Sequence, residues 1–382
     1  MYKSTSMKRT AGIVAWTCGS LFTVFCVLYL YVMQSDLLTA TQHLLSKGQT
    51  VYFPLWGTVI ITSVSVVLPY LYRKIIIFPL RFHALYYFPS CLLLGLLTAM
   101  VPAGGWSVSL TVGGGALLVW TFLYLFVAWA VMHYPDRQSE KYSLPVYLWP
   151  NFILLGVFMV MTGQVGNTND VCHYRLKMER EITEGLDSCV LETGRFSLHA
   201  DRGMTAMRVF ALSRTGRLGE KLFDYPQYYG SDGLIPDRAD SIHACDWTSD
   251  LFRHLGGKPG KGAERATRFL ELLSEMPSAT PAVNDYLLCA YLLDKNLDAF
   301  VSVLPRFYVI NESLPHYYKE ALVLYDRLHT MPVIVYKDEA VETNLNDFLH
   351  FAAQFKDKTE RSNQCRRMYG NTYWWYYYFQ KQ

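Results

Sequence analysis

Charge is nearly missing from the first 165 residues of this 382-residue chain. Residues 11–33, 52–72, 84–103, 108–132 and 146–165 contain no Asp, Glu, Lys or Arg. That absence excludes the amphipathic helices of a soluble core, which keep one polar face. Each stretch has about 20 residues or more, enough for a helix to cross roughly 30 Å of hydrocarbon. Ionisable groups at membrane depth, the usual mark of pumps and carriers, are also missing, and the most polar side chains in these stretches are Asn151 and Gln164. Asn151 follows Pro150. It suits either a hydrogen bond to a carbonyl freed by the proline or an ion or substrate site.

Other absences narrow the chemistry. A basic stripe is lacking: after Val165 there are 26 Lys or Arg against 29 Asp or Glu. Nothing there matches a row of phosphates, so nucleic acid is not an expected partner. A Gly-x-Ser-x-Gly elbow is absent. The loop 256–262 has the glycines and lysines of a phosphate cradle, but Leu255 takes the first glycine position and Gly262 replaces the magnesium-binding hydroxyl. It reads as an inter-helix loop. His243, Cys245, Asp246 and Asp250 fall around one helix and not on one face, so no metal site is expected, and no cofactor. Eight cysteines divide into Cys18, Cys26 and Cys91 within the apolar stretches and Cys172, Cys189, Cys245, Cys289 and Cys365 beyond them. Five widely spaced thiols predict free, mostly buried cysteines rather than a disulfide framework.

What is present divides the chain near Val165. Before that point nine Lys or Arg stand against three acids. The basic residues collect before residue 10, over 73–83 and over 133–145, whereas 35–51 and 104–107 together hold one. Positive loops stay in the cytoplasm, so the N-terminus is expected inside, and five crossings put residues 166–382 outside, in the periplasm of a bacterial inner membrane. The first stretch could also be a signal peptide, but its apolar run exceeds the usual h-region of about 7 to 15 residues, which favours a retained helix. Pro102, Gly104 and Gly105 leave only a tight turn between the third and fourth stretches. Residues 84–132 therefore read as two spans or as one re-entrant unit, and the second alternative reverses the placement of 166–382. Gly113, Gly114 and Gly115 suit close helix contact.

After residue 166 the apolar period becomes that of amphipathic helices, predicted over 171–191, 204–214, 239–255, 263–276, 282–293, 297–304, 314–328 and 345–355. A short strand is predicted over 333–336. Two segments repeat one plan, with Ala211, Leu218 and Pro226 in one and Ala290, Leu297 and Pro305 in the other. The spacing fits the turn and second helix of tetratricopeptide-type hairpins, although a separation of 79 residues is not a multiple of about 34. The fold class is thus all-α: about five transmembrane helices over 1–165, then irregular tetratricopeptide-like hairpins over 166–382.

The densest aromatic run is Tyr373, Trp374, Trp375, Tyr376, Tyr377, Tyr378 and Phe379. Such rings suit the membrane interface or grooves of the last helices equally well. Segments 204–226, 318–325 and 372–379 carry a resemblance to an uncharacterised family of multi-pass membrane proteins from gut anaerobes, whose C-terminal half is tetratricopeptide-like. The resemblance implies architecture and an envelope location, and brings no catalytic residues with it. The functional expectation is a membrane-anchored scaffold that binds a protein or peptide, with the lipid bilayer as its other partner. The alternative is a membrane enzyme acting on a lipid-linked or glycan substrate through a residue such as Asp36, which has no second carboxylate beside it.

Overall fold

A stripe of side chains at four-residue spacing, Val14, Cys18, Phe22, Cys26 and Leu30, is fully buried and sets the first helix against its neighbours. The computed structural model describes residues 2–102, 108–110, 114–133, 143–236, 247–260 and 265–380. Helix α1 (Tyr2–Val27) continues as a π-helical turn over Leu28–Met33, where Gln34 N donates to Tyr29 O at 3.0 Å. Next comes α2 (Ser35–Leu45), in a segment that the sequence presents as a loop; its buried face carries Leu37, Leu38, Ala40, Thr41 and Leu44. Then follow α3 (Pro54–Ile75), a 3-10 stretch (Leu80–Tyr87), α4 (Phe88–Thr98), α5 (Gly114–His133) and α6 (Leu144–Val165).

Five helices are long and apolar enough to cross a membrane: Lys8–Met33, Pro54–Ile75, Leu80–Thr98, Ala116–His133 and Leu144–Val165. Their outward side chains are apolar too, including the exposed Trp16, Val119, Phe122 and Phe126. The third differs from the uniform helix expected over 84–103, because its first half is 3-10 and the α-helix starts only at Phe88, with Pro89 in its first turn. The turn expected after it is bordered by a two-stranded antiparallel ribbon, β1 (Met100–Pro102) with β2 (Val108–Leu110), in the register Met100 to Leu110. Gly113 lies outside the described residues, as do the side chains at 114 and 115. A different glycine mediates close approach: a Cβ on Gly95 would lie 2.8 Å from Val165 Cγ1, so α4 and α6 meet at that point only because the side chain is missing.

The chain separates into two compact units, Met1–His173 and the remainder from Tyr174, with the division inside α7 (Asp170–Thr183). Helices α7 and α8 (Asp187–Glu192) replace the single helix expected over 171–191, since Gly185 adopts φ +76° and breaks it. There follow α9 (Arg202–Arg214), α10 (Leu218–Lys221), α11 (Trp247–Leu255), α12 (Ala266–Ser274), α13 (Ala282–Leu293) and α14 (Leu297–Phe307). The last four are α15 (His316–Leu328), α16 (Glu339–Ala353), α17 (Lys358–Tyr369) and α18 (Tyr373–Phe379). The strand expected over 333–336 is not formed: the backbone bends at Val333 and Ile334 and pairs with no strand among the described residues.

The repeated segments share one backbone turn. At the end of α9, Gly216 has φ +66° and Arg217 N donates to Leu212 O at 2.8 Å; at the end of α13, Lys295 has φ +57° and Asn296 N donates to Tyr291 O at 2.9 Å. The same pair of features closes α7, with Leu186 N to Glu181 O at 2.8 Å beyond Gly185, and α11, with Gly257 N to Phe252 O at 3.1 Å beyond Gly256. A left-handed residue with the same backbone hydrogen bond thus follows four helices of this unit. The turn at Gly256 carries no matching alanine or proline and is invisible as a sequence repeat.

Helices α9 and α13 form the centre of this unit: every residue from Gly203 to Leu212 and from Tyr286 to Leu293 is buried. Ala211 and Ala290 are both fully buried within them. Phenylalanine at either position is expected to overpack the contact and lower stability by roughly 1 to 3 kcal/mol. Unchanged thermal melting of Ala211→Phe and Ala290→Phe would show that these alanines are not at a helix contact. The unit also closes on itself, because Tyr317 on α15 donates to Asp224 at 2.7 Å and Phe223 packs its ring 5.3 Å from that of Tyr373 on α18.

Candidate functional site

The C-terminal aromatic run forms α18, started by Thr372, whose Oγ1 accepts from Trp375 N at 3.3 Å. Tyr373, Trp374, Trp375 and Tyr376 are buried; Tyr377 and Phe379 are half-buried, and Tyr378 is exposed. Polar atoms anchor the helix at both ends. Tyr373 N donates to Glu320 Oε2 at 2.6 Å, Tyr376 OH to Leu293 O at 2.8 Å, and Trp375 Nε1 to Ser362 O at 3.3 Å. Lys295 Nζ donates to Gln380 O at 2.6 Å and lies over the rings of Tyr376 and Tyr377. The same lysine forms the left-handed turn after α13, so one residue ends a helix and holds the last one.

Two hydrogen-bonded carboxylates lie close to this region, Glu320 buried and Asp285 half-buried. Glu320, on α15, also takes an ion pair from His316 Nε2 at 3.1 Å. Burial raises the Glu320 pKa, and the hydrogen bond to Glu320 raises that of His316. Asp285 Oδ1 accepts from Tyr308 OH at 2.7 Å and from Tyr318 OH at 2.9 Å, with Cys289 Sγ 3.6 Å from the latter hydroxyl. Burial raises the Cys289 thiol well above its usual range, so it is held as a thiol and not as a nucleophilic thiolate. The His316–Glu320 pair is legible in the sequence from its i, i+4 spacing. The two partners of Asp285 come from the end of α14 and from α15, and nothing in local sequence indicates their meeting.

A third cluster lies where α7, α8 and α9 meet. Glu179 is buried, pairs with Arg175 Nε at 3.3 Å, and is pushed up to about 7, mainly by burial. Arg175 also reaches Asp201 at 3.4 Å, the residue that caps α9 by accepting from Met204 N at 2.7 Å. Arg208, almost fully buried, donates through Nη2 to the carbonyls of Thr193 and Gly194 and stacks over Tyr225. A carboxyl that titrates near neutrality can act as a proton carrier. Here, however, its free oxygen is buried without a hydrogen-bond partner among the described residues.

The remaining sequence candidates disperse. Asp36 is half-buried in the first turn of α2, and Gln164 is exposed. His243, Cys245 and Asp246 lie outside the described residues, while Asp250 pairs with Arg253 at 2.9 Å. Gly256 serves its turn: a Cβ there would lie 1.9 Å from Ser278 O, so packing requires the glycine without any phosphate. Among the described residues no group of three His, Cys, Asp or Glu could hold a metal ion, and all seven cysteines are free. Cys172 and Cys189 sit on different helices, α7 and α8.

Asn151 does not take the carbonyl that Pro150 frees. Its Nδ2 donates to Tyr147 O at 2.7 Å and to Leu80 O at 3.0 Å, and its Oδ1 accepts from Ala84 N at 2.7 Å. One buried amide therefore fastens the 3-10 stretch to α6, whose backbone groups lack a regular helical ladder at that point.

Comparison with known proteins gives one match. A family model described as a family of unknown function, DUF6057, covers residues 6–258 and 261–380. No curated protein and no solved structure matches the chain.

Proposed function

The chain belongs to this family, DUF6057, and from that premise we propose that it is a membrane-anchored helical module that binds a protein or peptide at the cell envelope. In this reading the five apolar helices cross the bacterial inner membrane, the N-terminus is cytoplasmic, and the hairpins from residue 166 form a tetratricopeptide-like periplasmic surface. The observation that carries it is the apolar surface of the hairpin unit. Phe196 is 92% exposed, Met331 90%, Val333 83% and Val309 77%. Large apolar side chains held in water mark surfaces that meet a partner, above all where several lie together as at 331–335. Two acids of the same unit, the buried Glu320 and the half-buried Asp285, are instead held in hydrogen bonds.

Affinity purification of the full chain, with mass spectrometry, tests this reading. Deleting residues 166–382 is expected to release any co-purifying partner, and retention of every partner by the membrane half alone would sink it. Topology is separately accessible: reporters fused after Lys141 and after Gln382 are expected in opposite compartments. Activity on the same side at both points refutes five crossings.

One observation supports a lipid-linked substrate as the second reading. A cavity of about 440 Å³ in the first unit is lined by Leu38, Thr41, Gln42, Tyr52 and Leu97, close in sequence to Asp36. Loss of the cellular phenotype in Asp36→Asn at unchanged protein abundance would favour that enzyme; the binding module predicts that the phenotype survives.

A further inference from the structure

Phe196 is 92% exposed and Leu198 57%, yet the loop that carries them, between α8 and α9, is fixed from below. Arg208, almost wholly withdrawn from water, donates through Nη2 to Thr193 O at 3.2 Å and to Gly194 O at 2.8 Å. Tyr228 OH donates to Leu198 O at 2.7 Å, Tyr229 OH to Ala200 O at 3.3 Å, and Ser197 Oγ to His199 O at 3.2 Å. Five of the eight carbonyls over 193–200 thus accept from side chains. Two large apolar groups are therefore presented to water by a rigid support, with the half-buried Ser197 between them bonded to the backbone.

Charge and tether say what covers them. The one Lys, Arg, Asp or Glu within 193–200 is Arg195, which pairs with Glu192 at the base of the loop at 3.1 Å and lies over the ring of Phe196. A charged partner gains little at such a tip. Carbonyls already paired inside the protein lower the cost of leaving water, which a lipid surface demands more strictly than a polar protein surface does. The loop rests on α7, since a Cβ on Gly194 would lie 2.9 Å from Tyr174 Cδ2. Tyr174 stands nine residues after Val165, where the last apolar helix ends, and a chain of that length reaches at most about 30 Å. At so short a tether the effective concentration of bilayer is high, so a contact of only two side chains is populated.

We infer that the 193–200 loop inserts Phe196 and Leu198 into the headgroup region of the bilayer that the apolar helices cross, as a second, non-spanning contact with lipid. Zwitterionic lipid suffices, because the tip offers apolar area and no unpaired charge. The inference rests on that crossing. It goes beyond the binding-module reading and leaves Val309 and residues 331–335 as the surface for a protein partner.

The test uses the full chain in phosphatidylcholine nanodiscs, with Cys172, Cys189 and Cys245 replaced by Ser. One nitrobenzoxadiazole label is attached at a time, through His199→Cys, Phe122→Cys or Val309→Cys, and is quenched by nitroxide-bearing phosphatidylcholine. Phe122, exposed on an apolar helix, reports lipid, and the exposed Val309 reports water. Quenching at 199 is expected to exceed that at 309 by about threefold or more, and to fall to the level of 309 when Phe196→Asp and Leu198→Asp are added. A label at 199 quenched no more than one at 309, while the label at 122 is quenched, would overturn the inference and leave the crossing intact. Quenching at 199 that survives both aspartates would overturn it as well. So would a label at 199 shielded from aqueous iodide without being quenched by lipid, which marks a protein or a second copy in the place of the bilayer. An unquenched label at 122 removes the crossing and the inference with it.

Discussion

Trp374→Ala is expected to lower the stability of the hairpin unit by about 3 to 5 kcal/mol, the range for emptying a buried aromatic site. Trp374 is 1% exposed and packs near Phe348 of α16, in a helix whose neighbours Tyr373 and Tyr376 are fixed by hydrogen bonds to Glu320 and Leu293. A seven-residue helix has little stability of its own, so these contacts are what order it. Urea titration followed by far-UV circular dichroism measures the change. Tyr378→Ala, at the exposed end of the same run, is the internal control and is expected to have little effect. A Trp374→Ala protein as stable as the parent would mean that α18 is not part of the core.

The second large effect is expected in the apolar unit. Asn151→Leu keeps volume and polarity compatible with an apolar helix, yet it strands Ala84 N–H and removes a donor from Leu80 O and Tyr147 O. An unpaired buried backbone group costs about 1 to 3 kcal/mol, and more where water cannot reach it, so a loss of several kcal/mol is expected. Thermal aggregation of the detergent-solubilised protein and proteolysis within 80–87 report it. Asn151→Gln, which carries the same amide at the wrong distance, is expected to rescue only part. Normal stability of Asn151→Leu would show that the 3-10 stretch holds without the amide.

Legibility in the sequence followed the range of each interaction. The five apolar helices were readable because the absence of charge over about 20 residues is a property of each segment alone. The shared left-handed turn was readable where Ala211 and Ala290 mark it, and hidden at Gly256, where a glycine adopts the same conformation without the flanking pattern. Helix α2 was missed because its apolar face is short and Asp36, His43 and Lys47 give the segment the look of a loop. Asn151 posed a local question, whether it answers Pro150, but its partners Leu80 and Ala84 lie across the unit. The run 333–336 has β-propensity, yet with no neighbouring strand to pair with it bends at Val333 and Ile334 instead, which local sequence could not indicate. Burial of Glu320 and the two tyrosine hydroxyls on Asp285 likewise separate these acids from the solvated ones that they resemble in sequence.

The closure of the hairpin unit has a consequence for how such chains can vary. An open stack of hairpins touches only its neighbours and can be lengthened by inserting another copy. Here Asp224 and Phe223, next to α10, meet Tyr317 and Tyr373, contributed by helices far along the chain. A Cβ on Gly219 would lie 2.8 Å from Pro315, which leaves no slack at that seam. Adding or removing one helix pair would pull these contacts apart, so the seam that joins the early turn to the last helix fixes the number of helices between them.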